Sequence, residues 1–164
     1  MHLVRLTALL LFALGCLGFQ RKEYPVQVRF FAEANRNDTE RFATPIELRN
    51  PKRSTFIEKI PAISERNIKA IYPFRAADGT MGCAFKLDAS GRVNLDVVST
   101  ERRGSSLVAF VSTKAGTHQV IDMVIDRTVK DGIITIQRGL TELEIVAITK
   151  QWPTLNAQNL QSEN

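Results

Sequence analysis

Residues 120–148, VIDMVIDRTVKDGIITIQRGLTELEIVAI, constrain the fold more than any other stretch of this chain. Two strand-like runs flank Asp131-Gly132, a dipeptide that accepts the positive φ values of a tight hairpin turn. Beyond Gly139 the signals for a helix start are complete. Thr141 is placed as N-cap, Glu144 stands three residues on to close a capping box, and Leu140 faces Ile145 as a hydrophobic staple. Neither a hairpin nor a short amphipathic helix can bury its apolar face alone, so the rest of the chain has to supply the partner surfaces.

Upstream, residues 24–32 alternate, with Val26, Val28, Phe30 and Ala32 on one face and Gln27 and Arg29 on the other. That period of two predicts a half-buried strand. Further strands are predicted over 44–49 and 55–60, with turn chemistry at 35–40 and 50–52 and with Pro45 suited to a strand edge. Ser64 caps a single helical turn, 64–67, before a strand over 68–74; Asp78-Gly79 is a second hairpin turn. The strand over 80–87 places Met81, Cys83, Phe85 and Leu87 on one face. A helix begins at Asp88 or Ser90 and ends near Gly104, which suits the residue just past a helix C-terminus. Its apolar stripe is read as Val93, Leu95, Val97 and Val98. Residues 107–111 are apolar throughout, the pattern of a central strand covered on both faces. The fold class expected is α+β: one antiparallel or mixed sheet with two helices packed on one face.

The 164 residues suffice for one domain. Residues 1–19 read as an export signal, with Arg5 as the positive flank and an apolar run from residue 6 to residue 19. That run is shorter than the roughly 20 residues a spanning helix needs. Ala13-Leu14-Gly15 before Cys16 also resembles a lipobox, although Leu normally stands where Ala13 does. A lipoprotein signal modified at Cys16, an ordinary cleaved signal and an uncleaved anchor therefore all stay open. Each places the folded part, residues 20–153, outside the cytoplasm in the periplasm or cell envelope, with a polar, frayed tail over 154–164.

The chain carries a net charge of +5, but its Lys and Arg are scattered. Nucleic-acid binding would want a basic stripe interleaved with stacking aromatics, whereas most of the nine Phe sit at strand-core positions. No nucleic-acid partner is expected. Of the two histidines, His2 falls in the signal and His118 is read as a surface-loop residue without ligand-spaced Cys or carboxylate neighbours, so no metal is expected. Asp122 and Asp126 share a strand face, but four residues of strand separate their Cα atoms by about 13 Å, too far for a glycosidase pair. Gly104-Ser105-Ser106 lacks the nucleophile-elbow pattern, and no glycine loop is placed to cradle phosphate. Cys83 has core parity and is read as a buried structural thiol. No catalytic residue and no cofactor are expected.

From about residue 63 to residue 148 the chain resembles the head part of the large periplasmic domain of the SecD/SecDF protein-export accessory family. The matching stretches are ISERNIKAIYPFRAADGTMGCAFKLDASGRVNLDVVSTERRGSSLVAFVS and the 120–148 segment. Phe85 and Leu87 fall on the family's F-x-L strand end, Gly104 on its helix stop, residues 107–111 on its apolar strand and residues 137–144 on its I-x-G-x-x-T-x-x-E-like helix start. The resemblance implies the head's fold, an extracytoplasmic place and contact with exported protein. The chain lacks the family's membrane spans and intramembrane charges and the base part that precedes the head, so no independent motor role is expected.

The function expected is a lipid-anchored, non-catalytic protein-binding domain, accessory to protein export or the cell envelope. Its partner would be another protein, an exported or envelope one, and it would meet the membrane through its N-terminal lipid. An extracytoplasmic enzyme with an unrecognised site and a purely structural envelope component are the rival readings. Contact is expected at the least enclosed strands, 24–32 and 44–49, where Arg29, Arg49, Lys52 and Arg53 would draw an acidic partner. Neutralising Arg49, Lys52 and Arg53 together is expected to spare the melting temperature.

Overall fold

The computed structural model describes residues 25–35, 38 and 41–156. The expected signal with Cys16, Tyr24 of the first strand and residues 157–164 of the tail lie outside the described residues. In chain order the elements are β1 (Gln27–Ala32), β2 (Ala43–Arg49), β3 (Lys52–Glu58), a 3-10 turn (Glu65–Asn67), β4 (Ile68–Arg75) and β5 (Met81–Leu87). They continue with α1 (Ala89–Glu101), β6 (Ser106–Thr113), β7 (Gly116–Val124), β8 (Ile133–Leu140) and α2 (Glu142–Gln151).

The α+β class is as expected, but the strands fall into three antiparallel sheets rather than one: β1-β6-β7, β2-β3 and β4-β5-β8. Both helices pack against β5. The main core lies between the two three-stranded sheets and the helices. It joins Val28 and Phe30 of β1 to Phe85 of β5, Leu95 of α1, Ile136 of β8 and Ile148 of α2. A smaller cluster of Leu48, Ile57 and Val108, flanked by Phe31 and Phe110, seats the β2-β3 hairpin on the outer face of the first sheet. β6 is therefore covered on both sides. Leu107, Ala109 and Val111 face the main core while Val108 faces the hairpin, which explains its unbroken apolar run.

Residues 120–148 fold in a way their turn signal did not predict. Gly132 does adopt a positive φ of 69°, and the Asp131 carboxylate accepts the Ile133 N–H at 3.0 Å. Yet β7 and β8 do not form a hairpin. β7 pairs with β6 through the turn before Gly116, and β8 pairs with β5. The chain between Val124 and Ile133 is a connector from one sheet to the other. The other turn, at Asp78-Gly79, does join paired strands, with Gly79 at φ 83° between β4 and β5.

In α1 the buried residues are Gly91, Leu95 and Ser99, while Val93 and Val97 are exposed, so the inward stripe is rotated from the one expected. Close approach sets this rotation. A Cβ at Gly91 would lie 2.7 Å from the Asn67 Cβ, so only glycine lets the helix sit so near the 3-10 turn. Ser99 is at home inside because its hydroxyl donates to the Asp96 carbonyl and accepts the Val129 N–H. The tail also departs from expectation at its start. The Ile71 N–H donates to the Pro153 carbonyl at 3.0 Å, and the Leu155 N–H to the Ile71 carbonyl at 2.7 Å, so the chain after α2 lies along β4. Of the described phenylalanines only Phe30 and Phe85 are fully buried, and Phe42 is 67% exposed.

α2 starts as its local signals dictate. The Thr141 hydroxyl accepts the Glu144 N–H at 3.2 Å, and the Glu144 carboxylate accepts the Thr141 N–H at 2.8 Å. Leu140 and Ile145 are both buried. Thr141→Ala is expected to cost about 1 kcal/mol through loss of this cap. Trp152, the one tryptophan, is buried and reports the unfolding in urea by its fluorescence.

Candidate functional site

The free edges of the sheets locate the site. β1 is an outer strand, but its edge is closed: Phe30 exchanges backbone hydrogen bonds with Ile63, and Val26 exchanges two with the Gln151 side chain. β4 is closed by the chain at Pro153 and Leu155. β2 is an outer strand of its hairpin, and β7 and β8 are outer strands that approach each other without pairing, Gly139 lying against the Val120 carbonyl. Gly104 and Ser105 exchange backbone bonds with Ile125, so the N–H and C=O of Val124 point away from β6. The Leu87 N–H donates to the Gly132 carbonyl, and the same alternation turns the backbone of Ile133 and Thr135 away from β5.

Beside β7 and β8 lie two cavities of about 1100 Å³ and about 570 Å³ that share Met123, Val124, Asp126 and Arg127 among their lining residues. The larger is a cleft lined by Arg49, Arg75, Arg127 and Arg138, drawn from the end of β2, the end of β4, the connector and β8, and by Asp78, Asp122 and Asp126. Two of the carboxylates are engaged locally. Buried Asp122 accepts the N–H of Arg49 at 3.3 Å and of Asn50 at 2.7 Å. Asp78 accepts from the hydroxyl and N–H of Thr80, which hold its pKa below the usual range. Arg75 reaches Glu142 at 3.2 Å. Arg127 and Arg138 are exposed, and among the described residues neither has a carboxylate at salt-bridge distance. Nothing in a local window announces this convergence, because the four arginines are scattered through the sequence and meet only through sheet topology.

The basic residues singled out in the sequence divide into two kinds. Arg29 reaches buried Glu65, Nε to Oε2 at 3.1 Å. Arg53 forms a two-pronged pair with Glu33, at 2.5 Å and 2.6 Å, and Glu33 also accepts from the Thr55 hydroxyl and the Ser106 N–H. The Arg53 bonds lead in holding the Glu33 carboxyl down to about 2, against the opposing effect of burial. Arg49 and Lys52 pair in register at the β2-β3 turn and are exposed. Neutralising Arg53 would thus strand a buried carboxylate, and a variant that included it would melt lower than expected from its sequence position alone.

His118 stands on β7 rather than in a loop, its Nδ1 3.5 Å from a Glu144 oxygen. Asp126 lies beyond the end of β7, so it shares no strand with Asp122. Cys83 is buried and free, and burial pushes its thiol up to about 12, as suits a structural side chain. No helix among the described residues is long and apolar enough to cross a membrane.

No protein-family model and no curated protein matches the chain. Two solved structures do. One is SecDF, described as a membrane component that enhances protein export, at TM-score 0.51 and 11% identity over 79% of this chain and 64% of that one. The other is SecDF in its super-membrane-facing form, at TM-score 0.51 and 12% identity over 79% of this chain and 19% of that one. The chain thus spans less than two thirds of the first SecDF chain and about a fifth of the second. At this identity the likeness is one of backbone architecture: the fold of this chain is SecDF-like.

Proposed function

We propose that the chain is an extracytoplasmic, non-catalytic protein-binding domain that serves protein export, held at the membrane through a lipid on Cys16. The observation that carries this reading is its fold, shared with a component that enhances protein export. Within the domain, the cleft lined by Arg49, Arg75, Arg127 and Arg138 and the outer strands of the three sheets offer surfaces for contact with a polypeptide. Arg49 and Lys52 are exposed and available to an acidic partner, whereas Arg29 and Arg53 act indirectly by holding Glu65 and Glu33 in place. The part of the chain that matches SecDF acts as the head of that architecture, handling protein without itself using a proton gradient.

Pulse-labelling cells depleted of this protein tests the reading. Maturation of exported precursors is expected to slow, and to recover with the full chain supplied from a plasmid. Unchanged maturation of every exported protein would refute the export role. Anchoring is tested separately: Cys16→Ser is expected to leave the precursor unprocessed by the lipoprotein peptidase, and normal cleavage and release would rule out the lipid. A stable anchor needs at least two acyl chains, since one holds a membrane only reversibly.

A further inference from the structure

We propose that one face of the domain, formed by Phe42, Ile60, Val93 and Val97, rests on an anionic lipid surface with these four side chains inserted among the headgroups. The inference goes beyond the protein-binding reading, and it rests on the anchored reading only for the tether that keeps the chain close to a membrane. Three observations carry it.

The first is that exposed apolar side chains from three segments fall together. Phe42, Ile60, Val93 and Val97 are 67%, 78%, 61% and 47% exposed. The chain after β3 passes beside α1: Arg102 donates to the Glu58 carboxylate at 2.5 Å, and the Asn94 side chain donates to the Ala62 carbonyl at 3.4 Å. The helix rises about 12 Å from Asn94 to Arg102, within the roughly 13 Å that the chain from Glu58 to Ala62 can span. The segment therefore follows the helix in the opposite direction. Ile60, midway along it, comes level with the middle of α1 beside Val97, and Val93 lies one turn further on the same helix face. Phe42 enters from the other strand of the hairpin. Ala43 stands opposite Glu58, and the Lys59 Nζ donates to the Arg41 carbonyl at 2.8 Å, which sets Phe42 against Lys59 and next to Ile60.

The second is that folding gives no reason for these residues. Val93 and Val97 point away from the buried side of α1, which is made by Gly91, Leu95 and Ser99. At solvent-facing helix positions valine is a poorer helix former than alanine, glutamate or lysine, because its branched side chain loses rotamers against the preceding turn. Neighbouring large apolar side chains left in water mark a contact surface.

The third is charge and reach. Arg41 and Lys59 are exposed beside Phe42 and Ile60, and the Arg41 guanidinium carbon stands 5.8 Å from the centroid of the Phe42 ring. Arg66 is exposed in the 3-10 turn, whose Asn67 packs against Gly91 of α1. Of the carboxylates nearby, Glu58 is taken by Arg102, Asp96 is half-buried, and Glu101 is exposed. Apolar side chains rimmed by cations are what anionic headgroups hold. The tether is long enough. Ile63 follows Ala62 directly and exchanges backbone bonds with Phe30 of β1. The strand from Val26 to Phe30 covers about 13 Å, whereas the ten residues between Cys16 and Gln27 span at most roughly 33–36 Å. A lipid on Cys16 and this face can therefore meet the same membrane.

The test places the full chain in vesicles of phosphatidylcholine and phosphatidylglycerol whose acyl chains carry bromine, which quenches a tryptophan on contact. Phe42→Trp and Ala77→Trp each add one emitter to the buried Trp152. Ala77 is an exposed turn residue past the end of β4, about 25 Å along that strand from the 3-10 turn. The emission added by Phe42→Trp is expected to fall by half or more relative to vesicles without bromine, and that added by Ala77→Trp to stay unchanged. Ile60→Glu with Val97→Glu is expected to abolish the quenching while leaving the melting temperature unchanged, since both residues are exposed. Omitting phosphatidylglycerol or raising salt is expected to reduce it. Equal quenching of the two variants, or none of Phe42→Trp, would overturn the docked face. Quenching indifferent to phosphatidylglycerol and to salt would overturn the anionic preference. A blue shift of Phe42→Trp that grows with protein concentration, without quenching by bromine, would assign the face to a second copy of the chain and overturn the proposal. If Cys16→Ser is cleaved and released normally while Phe42→Trp is still quenched, the lipid anchor falls and this inference stands. If processing depends on Cys16 and Phe42→Trp is not quenched, the anchor stands and this inference falls.

Discussion

Phe85→Ala is expected to destabilise the protein by about 3–5 kcal/mol, more than the truncation of any smaller side chain in the core. The ring is 0% exposed and lies at the meeting of the two three-stranded sheets. Its centroid is 6.0 Å from that of Phe30, with planes at 73°, an edge-to-face pair. Phe30 belongs to β1 and Phe85 to β5, so this one contact ties the sheets directly across the core. Truncation removes the transfer free energy of the ring and leaves a cavity that cannot collapse, because it would have to draw two hydrogen-bonded sheets together. The edge-to-face pair adds about 0.5–1.5 kcal/mol to the loss. Phe42→Ala serves as the control. That ring is 67% exposed, and its removal is expected to change stability by no more than about 0.5 kcal/mol. Urea melts read by Trp152 fluorescence measure both, and equal small effects would place Phe85 outside the core.

The second large effect belongs to Glu33 and depends on pH. Its carboxyl is held down to about 2 from an ordinary 4.5, chiefly by the hydrogen bonds from Arg53, then by those from Thr55 and Ser106, with burial opposing them. A depressed folded-state pKa means that the folded protein prefers the ionised form. The stabilisation is present in full above pH 4.5 and is lost as pH falls toward 2. A shift of this size corresponds to at most about 3 kcal/mol at 1.36 kcal/mol per unit. The Arg53 side chain is 38% exposed, so solvent screening brings the expectation to about 2 kcal/mol. Glu33→Gln is therefore expected to be about 2 kcal/mol less stable than the parent at pH 7, with the gap closing as the pH approaches 2. A gap that stays constant over this range would assign the loss to packing rather than to charge. The carboxylate is only 8% exposed, and it joins three elements: it follows β1, binds Arg53 and Thr55 of β3, and takes the N–H of Ser106 at the start of β6.

The parts of this fold that could be read from the sequence are those fixed by neighbours along the chain. The Thr141–Glu144 capping box closes within three residues, the Asp78-Gly79 turn within four, and the parity that sends Phe30 and Phe85 inward is a property of each strand alone. Pairing is different. Asp131-Gly132 shows the conformation and the side-chain hydrogen bond of a turn, but which strands pair depends on residues far apart in sequence. β6 pairs with β7 across the short turn at Gly116, and β8 pairs with β5, whose Leu87 N–H donates to the Gly132 carbonyl. The face of α1 was set by backbone approach at Gly91, which hydrophobic spacing cannot register because glycine carries no side chain. Arg53 looked like surface charge because its partner, Glu33, lies twenty residues away across two sheets. The cleft was hidden for the same reason. Arg75, Arg127 and Arg138 come together only through the arrangement of the sheets, from the end of β4, the connector and β8.

Contact between this domain and polypeptides in the course of export can be caught by photo-crosslinking in the native envelope. A photoreactive side chain is placed at Arg127 in the cleft, at Lys52 on the β2-β3 turn, or at Val93 on the outer face of α1 as a control, in the full chain. Cells are pulse-labelled and irradiated at intervals of the chase. Labelled adducts with newly exported chains are expected at Arg127 or Lys52, appearing with the pulse and fading as export completes, and none at Val93. Absence of such transient adducts at both positions, in protein shown to be folded and in the envelope, would contradict a role in contacting exported chains.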